Sequence, residues 1–145
     1  MNIIETIQAA LTAFPKTGSL HIDFNGNAPE SFGLYPTGDK LVKEDVLGNQ
    51  ERQHTFILYA DFQSFNDYDR LQNSGLLLEL QLYLERFAGR QTVTAAVGET
   101  ELTGQLTKIT CANGMLFSIP SENYNDAVRY QLQITADYTI ESEEF

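Results

Sequence analysis

Apolar and polar residues alternate most cleanly near the end of the chain. Val128, Tyr130, Leu132, Ile134, Ala136, Tyr138 and Ile140 fall at one parity, and Arg129, Gln131, Gln133, Thr135, Asp137, Thr139 and Glu141 at the other. A period of two with one apolar side predicts a half-buried strand over 128–140. A related strand is predicted from Arg52 to Gln63, where Phe56-Ile57-Leu58-Tyr59-Ala60-Asp61-Phe62 nearly repeats Leu132-Gln133-Ile134-Thr135-Ala136-Asp137-Tyr138. In the earlier strand the second face also carries Ile57 and Tyr59, so that face asks for a cover.

Helical spacing appears in two places. Ile3, Ile4, Ile7, Ala10, Leu11 and Phe14 share a face behind an Asn2/Glu5 capping box, predicting a helix from about Asn2 to Ala13 that Pro15 and Gly18 stop. Across 66–88, alternating leucines compete with a helical stripe of Tyr68, Leu71, Leu77, Leu80, Leu84 and Phe87. The length of that stretch, and its wealth of Leu, Glu and Gln with almost no β-branched residues, decide for a helix. Asn66 or Ser64 is placed to cap its start and Gly89 to end it.

Shorter strands fill the rest. Leu20, Ile22 and Phe24 alternate with polar residues, and two strand-like pieces, Ser31–Tyr35 and Lys40–Val46, lie between the turn signals Asn25-Gly26-Asn27, Pro36-Thr37-Gly38-Asp39 and Gly48-Asn49. Over 99–112 the apolar parity changes between Leu106 and Ile109, which predicts a bulge near Thr107 and Lys108. Asn113-Gly114 predicts a hairpin into a strand of Met115, Phe117 and Ile119. The expected order is α-β-β-β-β-α-β-β-β: an α+β fold, one domain over 1–145, with two helices packed on one face of a mainly antiparallel sheet and an acidic end that frays from about 141.

Composition narrows the function classes. The chain has 145 residues, 42% of them hydrophobic, enough for a core that needs neither metal nor disulfide. A formal net charge of −11 opposes nucleic-acid binding and docking on an anionic membrane. No apolar run reaches the length of a membrane span, and no basic segment precedes an apolar one as in a signal peptide, so an intracellular protein is expected. The single cysteine, Cys111, fits a reducing compartment and alternates with Ile109 like a buried, inert thiol.

Chemistry-bearing residues are sparse. Asp61 and Asp137 occupy matching places in the two related strands, and adjacent carboxylates could serve as an acid–base pair or hold a divalent cation. No third ligand stands near them, and a polar outside is ordinary for an alternating strand, so the solvated-face reading is preferred. His21 and Asp23 share a strand face, with His54 elsewhere; two histidines without a Cys or Glu cluster make a poor metal site. No nucleophile elbow, zincin, Walker or dinucleotide motif occurs. No catalytic, metal or cofactor site is expected.

Several strings together resemble a known family. Phe32-Gly33-Leu34-Tyr35-Pro36 followed by GDKLVKEDVLGNQERQHTFILYADF, then NDYDRLQNSGLLLELQLYLE on the second helix, then ITCANGMLFSIPSENYNDAVRYQLQITADY, are similar to small phage and prophage proteins described as minor capsid or tail-completion proteins and related to tail terminators. The shared features are the Asn73-Ser74-Gly75 step on the helix and the final Arg129-Tyr130-Gln131 strand start, and the likeness runs from about Leu20 to Tyr138. What the resemblance implies is a non-enzymatic virion part assembled in the bacterial host cytoplasm. It would be a homo-oligomeric ring, such as a hexamer, contacting tail-tube or head–tail connector proteins, with no catalytic residues to carry over. The expected assembly surface comprises Tyr35, Lys40, Lys43, Glu44, Asp45, Ile57, Tyr59, Asp61, Arg129 and Asp137. The alternatives are a small ligand-binding module, with a pocket between sheet and second helix, and a hydrolase-type enzyme using Asp61 and Asp137.

Overall fold

The computed structural model describes residues 1–14, 19–22, 31–63, 67–87, 91–118 and 127–141. Its elements are α1 (Ile3–Ala13), β1 (Ser19–Ile22), β2 (Ser31–Glu44), β3 (Gln50–Gln63), α2 (Asp67–Phe87), β4 (Gln91–Val97), β5 (Thr100–Ser118) and β6 (Ala127–Ile140). The strands form one six-stranded sheet in the order β1-β2-β3-β6-β5-β4. The architecture is α+β, as the patterning predicts, but the sheet is mixed, because β1 runs parallel to β2. The mainly antiparallel pairing expected from the patterning does not hold here; the eight residues 23–30 between the strands exceed the about two to five of a tight hairpin but fall short of the roughly dozen of a usual parallel crossover, so connection length alone does not set the direction. The Asn25-Gly26-Asn27 turn, Phe24 and Asp23 lie outside the described residues.

β3 and β6 pair without a break from Gln50↔Ile140 to Gln63↔Ala127. The two related heptapeptides therefore lie side by side, head to tail. Phe56 faces Ile134, Leu58 faces Leu132, Ala60 faces Tyr130, and all six are buried. Their parity, with Phe32 and Leu34 of β2 and Leu106, Ile109 and Cys111 of β5, defines the inner face. Ile3, Ile7, Ala10 and Leu11 of α1 and Leu77, Leu80 and Leu84 of α2 complete the same core. Both helices thus cover one face. The Asn2/Glu5 capping box is present in both directions, which satisfies backbone donors at the start of α1. Tyr83 ties the helices together by donating its hydroxyl to the Ala10 carbonyl at 2.9 Å. The proposed α2 caps Ser64, Asn66 and Gly89 are outside the described residues.

Two expected turns are bulges instead. Ser31–Tyr35 and Lys40–Glu44 form one strand, while Asp45 and Val46, expected to extend it, belong to the turn into β3; Pro36-Thr37-Gly38 is absorbed as a register shift opposite Phe56 and Thr55, with Gly38 at φ 151°. Asn113-Gly114 likewise lies inside β5, between the pairs Ala112↔Gln133 and Met115↔Gln131. A hairpin at either place would strip one strand of a partner that long β3 or β6 supplies, so distant pairing overrides local turn preference. The predicted bulge at Thr107 is present, between Leu106↔Tyr138 and Lys108↔Asp137. β4 was not anticipated: Val93 is its single fully buried side chain, too little apolar signal to announce a strand. Its hairpin to β5 turns on Gly98-Glu99, with Gly98 at φ 63°. Merging two pairs of pieces and adding β4 reduces the expected seven strands to six.

The sheet's β2 side is blunted as an edge. Among the described residues, β1 pairs only with Ser31–Leu34, and the remainder of β2 carries Pro36, Lys40, Lys43 and two register shifts. Such features discourage pairing with a further strand. At the opposite side, the Thr94 amide donates to the Met1 carbonyl at 2.8 Å, partly closing β4.

β5 crosses unusually close to β6 at Gly104, where a side-chain Cβ would run into the Thr139 carbonyl and the Ile140 backbone. The crossing is stitched by Glu141 N donating to the Thr103 carbonyl at 2.7 Å and Gln105 N donating to Thr139 Oγ1 at 3.0 Å. Gly104→Ala must push two backbones apart, and urea unfolding should show a loss of roughly 2 kcal/mol or more. An unchanged midpoint would mean the crossing is slack.

Candidate functional site

The expected assembly residues divide into three groups once register is known. Tyr35, Ile57, Tyr59, Asp61 and Arg129 meet at one end of the outer sheet face, the face opposite the helices. Arg129 donates from Nε to Asp61 Oδ1 at 2.8 Å and from Nη2 to Oδ2 at 3.2 Å, a two-pronged pair. Its guanidinium also lies 5.3 Å from the centre of the Tyr59 ring, an orientation that favours cation–π attraction. The Tyr35 ring meets Tyr59 edge-on at 5.3 Å and 74°. Asp61, 14% exposed, and Arg129, 36% exposed, are thus an ordered part of the surface rather than loose charges.

Lys40 and Asp137 lie further along the same face, in the row Lys40–Gln53–Asp137–Lys108 across β2, β3, β6 and β5. Gln53 donates its amide to Asp137 Oδ1 at 3.0 Å. Asp61 and Asp137 therefore stand opposite Arg129 and Gln53, eight residues apart along β3. At strand rise that is about 26 Å. They are two separate hydrogen-bonded carboxylates and cannot act together on one atom.

Lys43, Glu44 and Asp45 form the third group, at the β2–β3 turn. Asp45 builds the turn: its Oδ1 accepts from Leu47 N at 2.9 Å and Asn49 N at 3.0 Å, and its Oδ2 from Asn49 Nδ2 at 3.1 Å. Hydrogen bonds from Asn49 hold its carboxyl below the usual range. Glu44 accepts from Gln50 Nε2 at 2.8 Å. A shallow hollow of about 430 Å³ beside this turn is lined by residues including Lys43, Glu51, Thr139 and Glu141.

The structure also assembles a cluster that the sequence did not disclose. The extra residue at the Pro36/Gly38 bulge changes the parity of β2 and turns Asp39 inward beside β3. There its carboxylate accepts from Arg52 Nε at 2.6 Å, from His54 Nδ1 at 2.9 Å and from the Tyr138 hydroxyl. Burial alone would raise the Asp39 pKa, but hydrogen bonds from Tyr138, His54 and Arg52 together outweigh it and hold the carboxyl below its ordinary value. Burial and the same carboxylate push the Tyr138 phenol up. An aspartate orienting a histidine has the form of a general-base dyad. Here the other ring nitrogen, Nε2, is buried with no hydrogen-bond partner among the described residues, against the Phe56 ring at 4.7 Å. No reacting group can reach it in this conformation, so the quartet fastens β2, β3 and β6 together. A histidine at the apolar parity of β3 was the available signal; the expected turn at Asp39 concealed its partner.

Cys111 is buried as expected, and burial, with a smaller push from the Glu85 charge, raises its thiol to about 12, leaving it protonated near neutrality. His21 belongs to β1, while Asp23 lies outside the described residues. Among the described residues no three His, Cys, Asp or Glu side chains gather as a metal site, and no helix is long and apolar enough to cross a membrane.

The Asp39 clasp makes a pH-dependent contribution of known sign. Its folded-state pKa is depressed below the ordinary 3.8. The stability it confers is complete above about pH 4 and is lost as pH falls through the folded value. Urea unfolding of Asp39→Asn should show a deficit of about 1–3 kcal/mol at pH 7 that narrows in more acid solution. A deficit constant with pH would remove the carboxylate from the account. Comparison of the chain with protein-family models gives no match, and neither does comparison with curated proteins.

Proposed function

We propose that this chain is a ring-forming structural subunit of the phage tail-completion type, acting without catalysis at a tail tube or head–tail junction. The observation that supports this most is the outer sheet face. Neither helix lies over it, yet its Tyr35–Tyr59–Arg129–Asp61 end is held in one geometry by a two-pronged ion pair and ring contacts. Aromatic rings and a pre-oriented arginine are the side chains enriched at protein interfaces, where a fixed conformation lowers the entropy lost on association. Half-buried Ile57 adds apolar area to the same surface. The resemblance in residue strings and the two-helix, six-strand architecture are consistent with the same reading. On this reading the partners are further copies of the chain and tube or connector proteins.

Light scattering and negative-stain imaging of the concentrated protein, alone and with tail-tube protein, test the reading. Closed rings of about six copies are expected; a strict monomer under both conditions refutes it. Arg129→Ala should weaken the assembly while leaving the fold intact, because the pair is partly exposed and solvent screening leaves it about 1 kcal/mol or less in the isolated chain.

A further inference from the structure

The Pro36/Gly38 bulge divides β2 into two unlike halves. Before it, Phe32 and Leu34 are buried in the core, and β1 pairs along 31–34. After it, every residue over 38–44 is exposed, and among the described residues no strand flanks the outer side of β2. The aliphatic residues of this second half, Leu41 and Val42, stand 44% and 56% exposed. They add little burial to hold it down.

Backbone pairing from Gly38↔Thr55 to Glu44↔Gln50 attaches this half to β3, with a further register shift between Leu41 and Lys43. Two side-chain hydrogen bonds beside that ladder, between the Thr37 and Thr55 hydroxyls at 2.7 Å and from Gln50 to Glu44 at 2.8 Å, are exposed. Water competes with both. Asp39 differs. Its side chain is 24% exposed and accepts from Arg52 and His54 of β3 and, reaching past β3, from the Tyr138 hydroxyl of β6. Bonds to an ionised carboxylate are the stronger kind.

We propose that residues 38–49 form a strap that opens from the β3 edge as a unit of its own while the core stays folded, and that the Asp39 carboxylate is its fastener. The strap is tethered at both ends, so opening is a local unfolding between Pro36 and Gln50. Segments open in this way where buried apolar contacts are few and backbone hydrogen bonds lie at the surface. Pro36 has no amide to give to the ladder, and the register shift beside it already interrupts the pairing, so the break falls where least is lost. At the far end, the Asp45 turn is held by bonds within 45–49 and needs nothing from the core. Opening leaves His54 Nδ1 and the 50–55 backbone of β3 without their β2 partners, a strand edge that the closed form covers. The inference does not depend on the assembly reading.

Amide hydrogen exchange of the whole chain at neutral pH, read residue by residue by nuclear magnetic resonance, tests it. The amides that pair 38–44 with β3 should exchange well ahead of those over 56–60 and 130–136. Their rates should also respond less to added urea, because opening the strap exposes little surface. Ile7→Val, a small loss of packing in α1, should speed the core amides by about threefold and leave the strap amides at wild-type rates. Asp39→Asn should speed the strap amides on the order of tenfold. Tyr138→Phe keeps the buried ring and removes only the hydroxyl; it should speed them by a smaller factor, although the altered residue lies in β6. Should Asp39→Asn fail to fold, Tyr138→Phe carries that arm of the test. Strap amides that accelerate together with the core in Ile7→Val would show that the segment opens only with the whole molecule, overturning the proposal. Wild-type strap rates in the carboxylate and hydroxyl variants would overturn Asp39 as the fastener.

Discussion

The uninterrupted ladder between β3 and β6 is the constraint on which the remainder of this molecule depends. A strand displaced by one residue exchanges its buried and exposed faces, so Leu58 opposite Leu132 and Ala60 opposite Tyr130 fix the inner parity for the whole sheet. β2 and β5 attach to the two sides of this pair and must match its parity to contribute to the core. Their sequences do not match it throughout, and each mismatch is resolved by a bulge. The shifts at Pro36/Gly38, Leu106/Lys108 and Ala112/Met115 are adjustments of outer strands to a central template that does not yield.

One of these adjustments creates a cross-strand polar cluster at the margin of the core. Displacing β2 by one residue after Pro36 turns Asp39 toward Arg52, His54 and Tyr138, beyond the aliphatic core. The Asp39 carboxylate keeps some access to water, its side chain 24% exposed, and is held by three donors from two neighbouring strands. The cluster resembles a catalytic dyad in its residue types and differs from one in access, since the nitrogen that would do chemistry is sealed.

The outer face has the opposite character. Asp61 is held across strands by Arg129 at one end, and Asp137 by Gln53 some way along. Among the described residues, exposed aliphatic side chains lie elsewhere: on the β2–β3 hairpin, on α2 at Leu78 and Leu82, and at Val97 beside the β4–β5 turn.

The sequence by itself determined both helices, the β3 and β6 strands with their buried faces, the buried thiol and the bulge at Thr107. Each of these is a local matter of period, propensity or parity, visible within about a dozen residues. It also marked Tyr59, Asp61 and Arg129 as worth attention, although not as one patch, because Asp61 and Arg129 meet only across a ladder joining residues 68 positions apart. Tertiary structure alone decided that Pro36-Thr37-Gly38 and Asn113-Gly114 continue strands, that β1 lies parallel to β2, and that β4 exists at all. The physical reason is common to all of these. Turn residues permit a reversal without compelling it, and whether the chain reverses depends on which distant strand offers backbone hydrogen bonds and an apolar face at that point.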